Sequence, residues 1–394
     1  MLYRRFGRTE LQMPVFSCGG MRYQHAWQDK PLAEVPDDNQ RNLEATVERA
    51  IALGITHIET ARFYGSSERQ LGPVLRRFDR DGLIIQTKIA PTEDPAEFRA
   101  NVEDSLARLQ VDYVDLLGLH GLNDAQTFDW ALRPGGCLDA AEDLRRQGRV
   151  RHIGFSTHAP REQIEAAIAT GRFDYVNLHW YWIFQDNWPA IEAASRQDMG
   201  VFIISPSDKG GHLYNPSQRL SDLCTPLHPM VFNDLFCLSH SQVHTLSIGA
   251  ARPTDFDRHL ETLPLLAQAD DLLPPIQQRL RQAAVEVLGE DWLRRWSVGL
   301  PRWDQTPGEV NIPVMVWLWN LLQAYDLQSF ARARYNLLGN GGHWFPGQRL
   351  GDRDPTEFRD CLQRSPFAER IPAILADLEA RIGGESVQRL SQSS

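Results

Sequence analysis

Residues Gly54–Glu68 read GITHIETARFYGSSE, Leu83–Lys88 read LIIQTK, and Tyr113–His120 read YVDLLGLH. Each holds a strand-length run of β-branched and large apolar residues that closes on an ionisable side chain. Those side chains are Glu59 in the run Thr56–Thr60, Lys88 and His120, with Tyr64 in the loop after the first. Working outward, Val15–Cys18, His152–Ser156, Tyr175–Leu178, Val201–Ser205 and Thr245–Ile248 have the same character, making eight candidate strands. Between them, Leu43–Leu53, Glu97–Leu109, Cys137–Gln147 and Arg161–Ala169 place apolar residues at i, i+3, i+4 spacing. Gly54, Gly148 and Gly171 punctuate three of these helix ends. Such alternation implies a parallel sheet of the α/β class, either doubly wound or closed. No GxGxxG opens a helix, which weakens the open dinucleotide-binding form. A (β/α)8 TIM barrel over residues 1–265 is therefore predicted. Ahead of it, Arg4–Val15 with a turn at Gly7-Arg8-Thr9 reads as a hairpin.

The 394 residues exceed what one core usually organises. Beyond about residue 265 the strand-like runs stop, and residues 266–394 read as a mainly helical C-terminal domain. Two segments there share a pattern: TPGEVNIP at Thr306–Pro313 and SPFAERIP at Ser365–Pro372. Each precedes a helical stretch, Val314–Leu322 or Ala373–Ile382, and the matching offsets suggest a degenerate internal duplication.

With 51 acidic against 41 basic residues, the formal charge is −10, which argues against a nucleic-acid partner. No apolar run is long enough to span a membrane, and the first residues lack the apolar core of a secretory signal. Five scattered cysteines make neither a disulfide framework nor a zinc site, and a cytoplasmic location is expected.

Taken singly, a lysine or glutamate at a strand end is most often a structural charge, and a histidine a core hydrogen-bonder. Together, Glu59, Tyr64, Lys88 and His120 fall at the ends of consecutive strands, where a parallel barrel builds its sites. A cation lowers a phenol's pKa, a carboxylate holds the cation, and an imidazole orients a substrate oxygen or relays a proton.

These residues carry a resemblance. The stretch Arg5-Phe-Gly-Arg-Thr9 with Leu11, then GITHIETARFYGSSE, Thr87-Lys88 and Asp115-Leu-Leu-Gly-Leu-His120, is similar to the aldo-keto reductase family. The likeness continues through Gly154-Phe-Ser-Thr-His158 and Ser205-Pro-Ser-Asp-Lys-Gly-Gly211 to Ser247-Ile-Gly249. It implies a barrel that reduces the carbonyl of a small aldehyde or ketone with NADPH. Tyr64 would be the general acid, Lys88 would acidify it, and His120 would position the carbonyl. Glu59 stands where the family has Asp.

For the cofactor, the resemblance points to Gly20, Met21 and Arg22 after the first strand. Ser156 and Asn177 would hold the nicotinamide carboxamide, and Ser205, Lys209 and Gly210 would line the sugar-phosphate side. Gly249, Arg252, Asp255 and His259 would grip the adenosine end, with Arg252 suited to a 2′-phosphate. Ile204 replaces the aromatic residue that often stacks on the nicotinamide. The run His179-Trp-Tyr-Trp-Ile-Phe184 with Trp188 reads equally as an apolar pocket wall or as packing for the next helix.

The tail resembles the ferredoxin-like extension of a subset of the family, through Pro307–Pro313, Arg334–Leu338 and His343-Trp-Phe-Pro346. In CxxCxxCxxxCP spacing the ligand positions are Trp296, Gly299, Arg302 and Thr306, then Pro355, Phe358, Cys361 and Ser365. Only Cys361 is a cysteine, so no iron–sulfur cluster and no metal is expected. Trp296, Trp303, Trp317, Trp319 and Trp344 are expected to fill the module's core. The leading expectation is an NADPH-dependent carbonyl reductase; the alternative is a nicotinamide-binding regulatory or scaffolding protein with little turnover. Oligomeric state is not legible.

Overall fold

The computed structural model describes residues 1–340 and 344–385, and His343 of the expected C-terminal motif lies outside them. The chain divides into two compact units. One comprises Met1–Gly210 and Asn233–Ala269; the other takes Gly211–Phe232 and the described residues from Asp270 onward. The segment Gly211–Phe232, which the sequence reading leaves within residues 1–265, groups with the second unit.

The first unit is a closed barrel of eight parallel strands. A short antiparallel pair precedes it, β1 (Tyr3–Arg5) and β2 (Gln12–Pro14), joined through a 3-10 turn at Gly7–Thr9. The barrel strands are β3 (Phe16–Gly19), β4 (His57–Glu59), β5 (Ile84–Ile89), β6 (Val114–His120), β7 (Val150–Ser156), β8 (Tyr175–Leu178), β9 (Gly200–Ile203) and β10 (Thr245–Ile248). β10 pairs with β3 to close the ring. Apolar runs buried on both faces are what a helix-covered parallel sheet requires.

The lumen has a chemical gradient. At its base Phe6, Met13, Ile84, Leu116, Tyr175 and Phe202 form an apolar cluster. The ring of Phe6, from the β1–β2 connection, lies tilted 5.8 Å from that of Tyr175 and meets His244 edge-on at 5.6 Å. Above it lies a polar layer. Ser17 Oγ bonds His57 Nδ1 at 2.6 Å and Thr245 Oγ1 at 2.7 Å, and Gln86 Nε2 donates to Tyr175 Oη at 3.2 Å. Gly154 makes room for Tyr175: a Cβ there would lie 2.5 Å from the Tyr175 ring.

In the second unit, helices Ile312–Tyr325, Gln328–Leu337 and Ile371–Ile382 pack together. Trp292 Nε1 donates to Asn320 Oδ1 at 2.7 Å, and the Arg370 guanidinium lies 4.1 Å over the Trp292 ring. Of the five tryptophans expected in its core only Trp344 is buried; Trp296, Trp303, Trp317 and Trp319 are half-exposed, and the buried anchor is Trp292. Position along a helix face, rather than ring size, decides which one goes inside. No helix among the described residues is long and apolar enough to cross a membrane.

Burial holds the His57 imidazole down at about 3, against an ordinary 6.5, with the Lys88 charge adding to the effect and Gln86 opposing it. The unfolded chain therefore binds more protons between those values, and stability falls as pH drops from 6.5 toward 3. In urea titrations, His57→Asn should flatten this acid loss by up to ~1.4 kcal/mol per pH unit. Equal slopes in the two proteins would contradict a neutral His57.

Candidate active site

Consecutive strands β4, β5 and β6 deliver Glu59, Lys88 and His120 to the C-terminal mouth, where alternation turns them into the lumen. Lys88 Nζ and Glu59 Oε1 form an ion pair, both side chains almost wholly buried. Lys88 Nζ also donates to Thr60 O at 2.8 Å, and Ser247 Oγ reaches Glu59 Oε2 at 3.5 Å. Burial pulls the Lys88 pKa well below the usual lysine range. An adjacent carboxylate such as Glu59 favours the charged form against that pull. Gly118 accommodates the lysine stem, since a Cβ there would stand 2.9 Å from Lys88 Cγ.

Tyr64 leans over this pair. Lys88 Nζ lies 4.8 Å from the centroid of its ring, and the His120 ring meets it edge-on at 5.8 Å. Tyr64 and His120 are half-buried, while Phe63, 6.1 Å from His120, is 62% exposed. The four residues expected as a proton-transfer set thus lie together. The loop behind Tyr64 is locked by Gly65, whose φ is +52° and whose added Cβ would fall 1.8 Å from Ala26 O.

Sequence reasoning did not single out the supports of this loop. Ser66 Oγ accepts from His25 N and Ala26 N at 3.1 and 3.2 Å, and Gln70 Oε1 accepts from His25 N at 2.9 Å. Buried Glu68 accepts from Thr87 Oγ1 at 2.6 Å, tying the helix after Tyr64 to the strand that carries Lys88. Burial pushes the Glu68 pKa up. Ser66 and Glu68 stand in the quoted GSSE run, so their signal was local.

The residues expected at a cofactor divide. Ser156 neighbours His120 on one side and Asn177 on the other in the strand register. The Asn177 side chain is fully buried, and neither of its amide atoms has a hydrogen-bond partner. Such an orphaned group costs about 1–3 kcal/mol. Gly20 packs on Glu59 O, and half-buried Met21 follows it. Arg22 donates to Gly249 O at 2.9 Å, joining the loops after β3 and β10. Ser205 takes a left-handed φ of 55°, and Gly210 closes its turn where a Cβ would meet Pro206 O at 2.0 Å. Lys209 is buried with Nζ 3.1 Å from His179 Nε2, an atom that also lies 2.6 Å from His158 Nδ1. Arg252 is exposed and pairs with Asp255 at 3.2 Å; Asp255 also accepts from Ala251 N at 2.8 Å. His259 lies inside. It has no exposed surface, and its ring meets Asp234 and Ser207 inside the unit.

The aromatic run splits as well. Trp180 packs against Trp188, Phe236 and His240 at 5.0, 4.8 and 4.8 Å, whereas Trp182, Ile183 and Phe184 remain half-exposed.

The fold and its ionisable mouth define a parallel eight-stranded α/β barrel with its chemistry at the C-terminal strand ends. Residues 17–234 match the model of the aldo/keto reductase family, and the chain belongs to that family. It is 32% identical over 162 residues to L-galactose dehydrogenase of Arabidopsis thaliana, covering 39% of this chain and 47% of that protein. It is also 32% identical over 143 residues to pyridoxine 4-dehydrogenase of Escherichia coli, covering 32% of this chain and 48% of that one. The chain thus spans about half the length of these curated relatives. Among solved structures, a putative aldo-keto reductase from Pseudomonas aeruginosa superposes with a TM-score of 0.54 at 23% identity, over 68% of this chain and 96% of that one. An aldo-keto reductase from Klebsiella pneumoniae in complex with NADPH gives 0.53 at 21%, over 69% and 95%. At such identities these two speak for the fold.

The buried pair makes a testable demand. Glu59→Leu strands an ammonium and should cost about 3–5 kcal/mol of unfolding free energy, most of which Lys88→Met added to it should recover. Chemical denaturation measures both; a double variant as unstable as Glu59→Leu alone would contradict the pairing.

Proposed function

We propose that this chain is an NADPH-dependent oxidoreductase that reduces the carbonyl of a small aldehyde or ketone to an alcohol. The observation that carries the reading is the Tyr64 ring in contact with both the Lys88 ammonium of the buried Lys88–Glu59 pair and the His120 ring. When bound, the nicotinamide supplies the hydride to carbonyl carbon. Tyr64 gives its phenolic proton to the carbonyl oxygen as charge develops there. Lys88 stabilises the phenolate left behind, and Glu59 holds Lys88 charged. His120, whose ring meets that of Tyr64, orients the carbonyl. The orphaned Asn177 amide next to Ser156 fits a carboxamide partner, which offers both a donor and an acceptor. Arg22, Lys209 and Arg252 bring cations to the same rim, as a pyrophosphate and a 2′-phosphate require. Two relatives named as dehydrogenases and a related structure in complex with NADPH support this reading.

The second unit is best read as a ferredoxin-like module whose metal ligands are gone. In two-cluster ferredoxins the fourth cysteine of one run serves the other run's cluster. Here Gly299, the second position of the first run, abuts Ser365, the fourth of the second: a Cβ on Gly299 would lie 3.0 Å from Ser365 N. Phe358 at another ligand position is fully buried, filling space with carbon.

Two experiments test these readings. Tyr64→Phe should lower kcat by ~100-fold or more across an aldehyde and ketone panel, the scale of a lost general acid, and leave NADPH affinity nearly unchanged. Turnover that survives the substitution would overturn Tyr64 as the acid. Protein purified anaerobically should carry no stoichiometric iron or sulfide; a visible cluster absorption would overturn the second reading.

A further inference from the structure

Ser207, His259 and Asp234 come from three separate elements and meet in the interior of the barrel unit. Asp234 lies in the helix Pro229–Ser239, His259 in the short helix Asp257–Leu260, and Ser207 in the turn after β9. Asp234 Oδ2 is 2.5 Å from His259 Nδ1, and His259 Nε2 is 3.4 Å from Ser207 Oγ. All three side chains are buried. An ionised Asp234 accepts only, so Nδ1 donates to it, and in the neutral imidazole Nε2 is then the acceptor for the Ser207 hydroxyl. The hydroxyl is aimed by a charge it does not touch.

The same turn is held elsewhere. Asn233, next to Asp234, donates from Nδ2 to Pro206 O at 3.3 Å. Lys209 N closes onto Ser205 O at 2.9 Å, and Ser205 itself sits at a left-handed φ of 55°. Strain of this kind persists only where surrounding contacts over-determine it, and it collects at ligand clamps. Two consecutive residues of one helix grip the turn, one directly and one through an imidazole.

We infer that Asp234 and His259 are positioning residues for nucleotide binding, anchoring the Ser205–Gly210 turn through Ser207 as a preformed clamp for the anionic sugar-phosphate part of the cofactor. This rests on the NADPH reading above. It gives His259 a role inside the protein in place of contact with the adenosine end. A clamp already in its bound shape spares the ordering entropy that a mobile turn would lose on binding.

NADPH affinity, read by fluorescence titration, tests the relay in wild type, Ser207→Ala, His259→Ala, Asp234→Asn and the Ser207→Ala/His259→Ala double variant. Ser207→Ala should weaken binding by about fivefold, the scale of the one hydrogen bond that anchors the turn, with only a small change in Tm. His259→Ala should weaken it at least as much, and adding it to Ser207→Ala should cost little more, because both break one relay. Asp234→Asn keeps an acceptor for Nδ1–H and should fall between wild type and His259→Ala. If the His259 variant does not fold, the Ser207→Ala and Asp234→Asn affinities still decide. Additive losses, or a Ser207→Ala protein that binds as tightly as wild type, would overturn the relay while leaving the enzymatic reading intact. A wild-type protein that binds no NADPH would overturn the enzymatic reading, and the clamp with it.

Discussion

An ammonium group inside a closed barrel has few ways to stay charged, and the site depends on how this one does. Lys88 has left bulk water, and Glu59 on the adjacent strand supplies the opposite charge. The pairing is costly to assemble, since both ions lose hydration, and costlier to half-remove. Local features serve it: a glycine on β6 leaves space for the stem, Thr60 O accepts a hydrogen bond from the ammonium, and Ser247 approaches the second carboxylate oxygen. Tyr64 then needs only to lean over a cation that is already fixed. Glu59 is one methylene longer than the family's aspartate, and that length still closes onto Lys88.

The barrel was legible because its evidence is local and repeated. Each strand announced itself as a short apolar run, and three of the key side chains stood at the last inward position of such a run. Tyr64 was legible from its place in the loop just beyond Glu59. The polar layer of Ser17, His57, Gln86 and Thr245 was not readable. Each strand contributes a single polar residue, and only closure of the ring brings them within hydrogen-bond distance. The surroundings of His259 were not readable for a related reason: its partner Asp234 precedes it by 25 residues, on a different helix. The tryptophans of the second unit show the same limit, because ring size is visible in a sequence and helix facing is only partly so.

One signal was present and went unused. Thirty-eight of the basic residues are arginine, and the only lysines are Lys30, Lys88 and Lys209. Where arginine serves almost everywhere else, a surviving lysine marks a place that needs a compact ammonium rather than a planar fork. Two of the three, Lys88 and Lys209, are buried at the barrel mouth.

The apolar plug around Phe6 has a consequence for traffic. With its base stoppered by Phe6, Met13 and their neighbours, the cylinder is a cup rather than a pipe, and Lys88 stands toward its open rim.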